Sequence, residues 1–245
     1  MRMINFGVAF FMFASFATAN CQNQDTTTKG FAVVELFTSE GCSSCPPADI
    51  AVAKLLNDHN DNVYVLGFHV DYWNYLGWKD IFSDAAYSTR QEQYGHAFQL
   101  NSVYTPQIVV NGSTQFVGSN EAALRRTVSN DLKQPVKTFI KLTAKSNDNH
   151  INITYNTNAL SPDQLNIAIV QLHAESKVQR GENAGKILEH VNVVRDFKTI
   201  NFKSTTGNVD FVKPQASSKD NFIAVAFIQN IKSMKISAAA KTVIE

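Results

Sequence analysis

Three cysteines in 245 residues are too few for a four-thiolate zinc site. Charge is equally sparse. Asp, Glu, Lys and Arg make up 18% of the chain, the formal charge is +1, and no run of Lys or Arg supplies the field that nucleic acid or an anionic membrane surface requires. No nucleic acid is therefore expected as a partner. A bilayer-spanning stretch is also missing near the start, where Phe6–Phe16 forms a short apolar core behind Arg2 and ahead of the small-x-small run Ala17-Thr18-Ala19. That pattern predicts a secretory leader over residues 1–19, with a polar linker over 20–30. Cleavage there leaves Asn20-Cys21 in front, so the product is either a soluble exported, periplasmic protein or one anchored to a membrane through a lipid on Cys21. Both put the chain where disulfides persist.

What remains is 44% hydrophobic, enough for one large or two medium cores, and two domains are expected. The most informative stretch is FAVVELFTSEGCSSCPP, Phe31–Pro47. Its apolar run from Phe31 to Phe37, broken only by Glu35, predicts a strand buried on both faces. Pro46 and Pro47 fit only the first turn of a helix, which predicts a helix from about Ser43 with Cys42 at its N-terminus. A helix N-terminus favours thiolate over thiol, making Cys42 the nucleophile, and Cys45, one turn further in, the resolving thiol. A structural disulfide and a metal site are the alternatives. Closing so short a loop does little for a chain of this size.

Asn62–Val70 predicts a second buried strand parallel to the first, which brings His69, Asp71, Tyr72 and Trp73 to the edge of the sheet that carries Cys42. His69 is then the basic neighbour of the thiols, and with Cys42 and Cys45 it offers a soft site for Cu(I). The aromatic run Asp71–Phe82 suits either a packed cover or a binding wall. A helix over Ser83–Leu100, capped by Ser83, turns Tyr87, Tyr94 and Phe98 inward and leaves Arg90 and His96 solvated. Short strands at Gln107–Val110 and Thr114–Val117 are joined by the hairpin signal Asn111-Gly112, and a helix from Ser119 or Asn120 ends before Pro135. Glu35, alone among apolar residues near the thiols, is a candidate acid–base group for Cys45, or else a core ion-pair partner.

That order, with Cys-x-x-Cys opening the first helix and a proline opening the hairpin, resembles the thioredoxin fold across about residues 31–134. ELFTSEGCSSCPPAD (Glu35–Asp49), FHVDYWNYLGWKD (Phe68–Asp80), Arg90-Gln91, YTPQIVVNG (Tyr104–Gly112) and RGENAGKILEHVNVVR (Arg180–Arg195) together resemble a bacterial family of exported thioredoxin-like proteins known only as a domain of unknown function. The resemblance implies a cis Thr105–Pro106 bond facing the thiols. It also implies a substrate-binding edge at Thr105, with Tyr104 and Trp73 beside it, where an extended segment pairs with the backbone. Ser43-Ser44 between the thiols, the lack of a Trp before Cys42 and the longer aromatic insertion depart from ordinary thioredoxins.

From Val136 onward the pattern changes to short alternating runs, among them Ile151, Ile153 and Tyr155, and predicts a separate antiparallel β-sandwich over 135–245 with about seven strands. GENAGK (Gly181–Lys186) has the wrong spacing for a phosphate loop and reads as a turn. Arg180, Glu182, His190 and Arg195 read as a structural polar network. The expected fold class is thus an α/β thioredoxin-like domain followed by an all-β antiparallel sandwich domain. The expected function is exported thiol–disulfide exchange without a cofactor, acting on exported protein thiols or disulfides and a redox partner protein. A copper-handling protein and a non-catalytic binding module stand as alternatives.

Overall fold

The computed structural model describes residues 29–58, 61–160, 162–215 and 221–245. The expected leader over 1–19, Cys21 and most of the 20–30 linker lie outside the described residues. The first half runs β1 (Ala32–Thr38), α1 (Pro46–Asp58), β2 (Val63–His69), a 3-10 turn (Asn74–Leu76), α2 (Ala85–Ala97), β3 (Gln107–Val110), β4 (Thr114–Val117) and α3 (Glu121–Asp131). The second half is all strand: β5 (Ile140–Ser146), β6 (His150–Thr157), β7 (Asp163–Lys177), β8 (Ile187–Asn201), β9 (Thr206–Val212), β10 (Phe222–Asn230) and β11 (Ile236–Val243).

These strands do not divide into a thioredoxin-like domain and a separate sandwich, and that expected fold class is overturned. Eight of them form one mixed sheet in the order β11-β10-β7-β8-β2-β1-β3-β4, so β8 joins β2 directly. A second sheet holds β5-β6-β9. The reason lies in the apolar runs of β7 and β10, which are buried on both faces and need cover on each side. Leu165, Ile167 and Ile169 of β7 pack with Ala224, Ala226 and Ile228 of β10 against Ile151, Ile153 and Phe211 of the smaller sheet. On the opposite face, Ala168, Val170, Val225 and Phe227 share one core with Val33, Phe37, Phe68, Tyr87 and Tyr94. The hydrophobic effect therefore gains from merging the halves, since a free-standing sandwich would expose that second face to water.

Within the first half, alternation along β1 sorts the helices. Ala32, Val34 and Leu36 face α1 and α3 through Ala48, Val52, Leu55, Leu124 and Val128, whereas Val33 and Phe37 face α2. β1 and β2 pair in parallel with Thr38 opposite His69, and β1 and β3 pair antiparallel with Phe37 opposite Gln107. Asp84 caps α2 by accepting from the Ala86 amide, one residue beyond the expected Ser83, and Asn120 caps α3 by accepting from Ala123. At the β3–β4 hairpin, Asn111 and Gly112 both take positive φ, at 47° and 58°. Gly112 is required twice over, because a Cβ there would also lie 1.8 Å from the carbonyl oxygen of Met234 in the β10–β11 turn.

Candidate functional site

Three segments meet because β2, β1 and β3 are neighbours in the sheet. The turn from the end of β1 carries Cys42 and Cys45, the end of β2 leads into the aromatic segment, and the start of β3 is preceded by Thr105–Pro106. Cys42 and Cys45 form a disulfide with their Cα atoms 5.4 Å apart. α1 begins at Pro46 rather than about Ser43. The Cys45 carbonyl accepts from the amides of Ala48 and Asp49, which makes Cys45 the capping residue and leaves Cys42 in the preceding turn. Both cysteines are buried in the disulfide form, at 0% and 1% exposure. Ser43 and Ser44 between them are exposed, and the Ser44 hydroxyl is 3.4 Å from Cys42 Sγ.

The Thr105–Pro106 bond is cis. The Thr105 hydroxyl accepts from Trp73 Nε1 at 2.8 Å, and a Cβ added to Gly41 would lie 3.0 Å from Trp73 Cβ. Trp73 thus bridges the residue before Cys42 to the residue before Pro106. Tyr104 points its hydroxyl to Gln115 Oε1 at 2.5 Å, while its carbonyl accepts from Gln91 Nε2 at 2.7 Å. The aromatic segment divides: Trp73 and Trp78 are half-buried, whereas Tyr75 is 79% exposed.

Glu35 is placed elsewhere. Strand alternation turns it away from α1 to the α2 face, where Arg90 grips it with Nε at 2.5 Å and Nη2 at 3.0 Å, and Tyr94 donates to it at 2.5 Å. Arg90 is buried rather than solvated, with its guanidinium 4.9 to 5.6 Å from the ring centres of Phe68, Phe197 and Phe227. Burial works against the guanidinium charge, but the Glu35 carboxylate outweighs it and holds the pKa up. Glu35 is therefore a core ion-pair partner and is not directed at the thiols.

His69 is buried at the end of β2, yet it is engaged by Asp80, whose Oδ2 lies 2.7 Å from its Nδ1, and by the rings of Phe82 and His190. Burial opposes ionisation of Asp80, and the His69 charge together with the Glu40 and Phe82 amides lowers its pKa all the same. Among the described residues, no group of three or more His, Cys, Asp or Glu side chains is disposed to hold a metal ion.

The second half supplies residues the sequence reading did not assign to the site. The β7–β8 loop is the expected turn, and it lies over the thiol turn. Glu182 accepts from the Ser43 amide at 3.0 Å, and this bonding, with the Ser43 hydroxyl foremost, lowers the pKa of its carboxyl. Asn183, fully buried, donates to the carbonyls of both Glu40 and Cys42 at 2.9 Å. Behind the turn, His190 Nδ1 meets Asp49 Oδ1 at 3.2 Å, and Glu40 accepts from Trp78 Nε1 at 2.6 Å and from the Ser176 hydroxyl. Asp49 and Glu40 flank the cysteines in sequence, so an acidic pair around Cys-x-x-Cys was the available signal.

Protein AGR_C_4864 from Agrobacterium tumefaciens, in its crystal structure, is similar over 88% of this chain and 96% of its own, at 26% identity and a TM-score of 0.66. HBP35 of Porphyromonas gingivalis is similar in fold over 88% of this chain and 76% of its own, at 17% identity and a TM-score of 0.60. No protein of curated function matches the chain. The profile of the family described as protein of unknown function (DUF1223) matches residues 33–229, a span that takes in the cysteine turn, the aromatic segment, the Pro106 hairpin and His190, and the chain belongs to that family.

Proposed function

We propose that the protein is an exported thiol–disulfide oxidoreductase that exchanges disulfides through Cys42 and Cys45. The observation that carries this reading is the closed Cys42–Cys45 disulfide at the entry to α1, next to Gly41, against which Trp73 packs while donating to Thr105. A bridge spanning three residues constrains little of the unfolded chain, so it contributes little stability to justify its presence, whereas a vicinal pair at a helix entry suits reversible oxidation. A partner thiolate attacks Cys42 Sγ and Cys45 Sγ leaves with the bonding electrons. A second thiolate of the partner then attacks the partner's own sulfur in the mixed disulfide, Cys42 leaves as a thiolate, and the partner is oxidised as the pair is reduced. In the opposite direction the Cys42 thiolate opens a partner disulfide, and Cys45 attacks Cys42 Sγ to release the reduced partner and close the pair. The partners are exported proteins bearing thiols or disulfides, together with a protein that resets the pair. Trp73, Tyr104 and Thr105 form the edge along which such a partner lies. Export is supported by the leader pattern of the sequence, and lipidation of Cys21 belongs to the same proposal. The reading rests on the thiol pair and needs no particular fold.

The copper-handling alternative gains nothing from His69, which is engaged by Asp80. The test uses purified protein incubated with a disulfide-bonded protein and a small dithiol, with Cys42→Ser and Cys45→Ser as controls, and a Cu(I) titration of the reduced sample. Turnover that both substitutions abolish is expected. Tight Cu(I) binding without turnover would replace this reading by the copper one.

A further inference from the structure

Cys45 is 1% exposed, so water does not reach its sulfur to give or take a proton, and the polar side chains behind it must do so if exchange occurs. Asp49 stands one turn along α1. Its amide donates to the Cys45 carbonyl at 3.3 Å, and residues four apart on a helix share a face. Its carboxylate accepts from the Thr38 hydroxyl at 3.4 Å and meets His190 Nδ1 at 3.2 Å. His190 arrives from β8 and is 4% exposed, yet its Nε2 has no hydrogen-bond partner. Glu40 Oε1 lies 3.7 Å from that nitrogen, too far to bond it. Three titratable groups thus face His190: Asp49 from α1, Glu40 from the turn after β1, and His69 from β2 at a ring separation of 4.7 Å, His69 being held in turn by Asp80. A buried ring nitrogen met only by a carboxylate at ion-pair distance, with no hydrogen bond of ordinary length, is uncommon, and a network serving stability alone would be expected to close that gap.

We propose that Asp49 and His190 hold and move the proton of Cys45, a role that rests on the thiol–disulfide reading. In the resolving step the Cys45 thiol gives its proton to the Asp49 carboxylate, whose charge the His190 imidazolium balances. Cys45 Sγ then attacks Cys42 Sγ, the bond from Cys42 to the partner sulfur breaks, and the partner leaves as a thiolate with the electron pair. In the opening step Cys45 leaves as a thiolate and recovers the proton from the same pair. Both residues act at a group that reacts, and neither bonds the substrate.

The test is a thiolate titration followed by ultraviolet absorbance, which reads Cys45 without requiring turnover. The full chain carries Cys21→Ser and Cys42→Ser, so that Cys45 is the single thiol. Adding Asp49→Asn removes a negative neighbour and is expected to lower the midpoint of Cys45 by about one pH unit, whereas His190→Gln removes a positive one and is expected to raise it by a similar amount. Asp49→Glu should restore the parent midpoint. Shifts of the same sign, or no shift in either variant, overturn the relay while leaving the thiol reading intact. If Asp49→Asn does not fold, His190→Gln decides alone, and an unchanged or lowered midpoint overturns the proposal. A parent protein that exchanges no disulfide at any pH overturns the reading beneath it, and that result needs no variant.

Discussion

Asn183 donates its side-chain amide to the carbonyl of Cys42 across 141 residues of sequence, and the same amide serves the carbonyl of Glu40. The residue is fully buried, so water does not replace these bonds when the side chain is cut back. Asn183→Ala is expected to destabilise the oxidised protein by about 2 kcal/mol, the cost of leaving buried acceptors unpaired. It should also speed reduction of the disulfide by a small dithiol, because the β7–β8 loop loses its hold on the thiol turn. Denaturant unfolding and a stopped-flow reduction rate check the two halves. A variant with wild-type stability and a wild-type rate would show that the loop does not guard the cysteines.

With Cys45 replaced by Ser, a mixed disulfide formed at Cys42 has no internal thiol to resolve it. Cys45→Ser expressed in an exporting host should accumulate covalent complexes visible on non-reducing gels, and Cys42→Ser should not. Equal trapping by both variants contradicts the assignment of Cys42 as the attacking residue.

The Glu35–Arg90 pair is enclosed by Tyr94, Phe68, Phe197 and Phe227, so removing one partner strands a buried charge. Arg90→Met is expected to cost about 3–5 kcal/mol. The double replacement Glu35→Leu with Arg90→Met should recover much of that loss, since apolar residues of similar size often substitute well for a buried pair. Thermal unfolding of the single and double variants measures the coupling, and additive losses would exclude it.

Burial disfavours the His190 imidazolium, but the hydrogen bond to Asp49 and the charges of Asp49 and Glu40 outweigh it, and the pKa is pushed up from 6.5 to about 9. A group whose pKa rises on folding binds its proton more tightly in the native state. Its stabilisation is complete below pH 6.5 and lost as the pH climbs through about 9. The contribution is on the order of 3 kcal/mol. Unfolding free energies should fall across that window in the parent protein and stay flatter in His190→Gln, and identical slopes would remove His190 as the source.

Gly112→Ala places a Cβ against the Met234 carbonyl at a residue with φ of 58°, so the hairpin and the β10–β11 turn must part. A loss of about 3 kcal/mol or more is expected, as for overpacking combined with a strained backbone. Gly185, which also has positive φ but open space around it, is the control: Gly185→Ala should cost about 1 kcal/mol.

Much of the first half was legible because its signals are local. The buried run of β1, the two prolines of α1 and the Asn111-Gly112 turn each depend on neighbours in sequence, whereas the cis proline was expected from the resemblance alone. The misplaced residues depend on distant ones. Nothing near Arg90 indicates that Glu35 awaits it in the core, and nothing near Glu35 indicates that alternation turns it from α1 toward α2. The change to alternating strands after Val136 suggested a new domain, because a sandwich and an extension of an existing sheet have the same period of two. The runs of β7 and β10, apolar on both faces, held the clue that a lone sandwich did not suit them. His190 looked structural for want of any indication in sequence that it meets Asp49.

The cover over the cysteines has a consequence for the order in which the molecule is made. Cys42 and Cys45 leave the ribosome, or cross a membrane, long before Glu182, Asn183 and His190, and the strands that bring those residues join the sheet at β2. Until β8 has joined the sheet, the cysteines lack the bonds from Glu182 and Asn183 to their turn, and Asp49 lacks His190. Joining of β7 and β8 to the sheet then brings Glu182, Asn183 and His190 onto the thiol turn, so the surroundings of the two cysteines are completed by the last-made half of the chain.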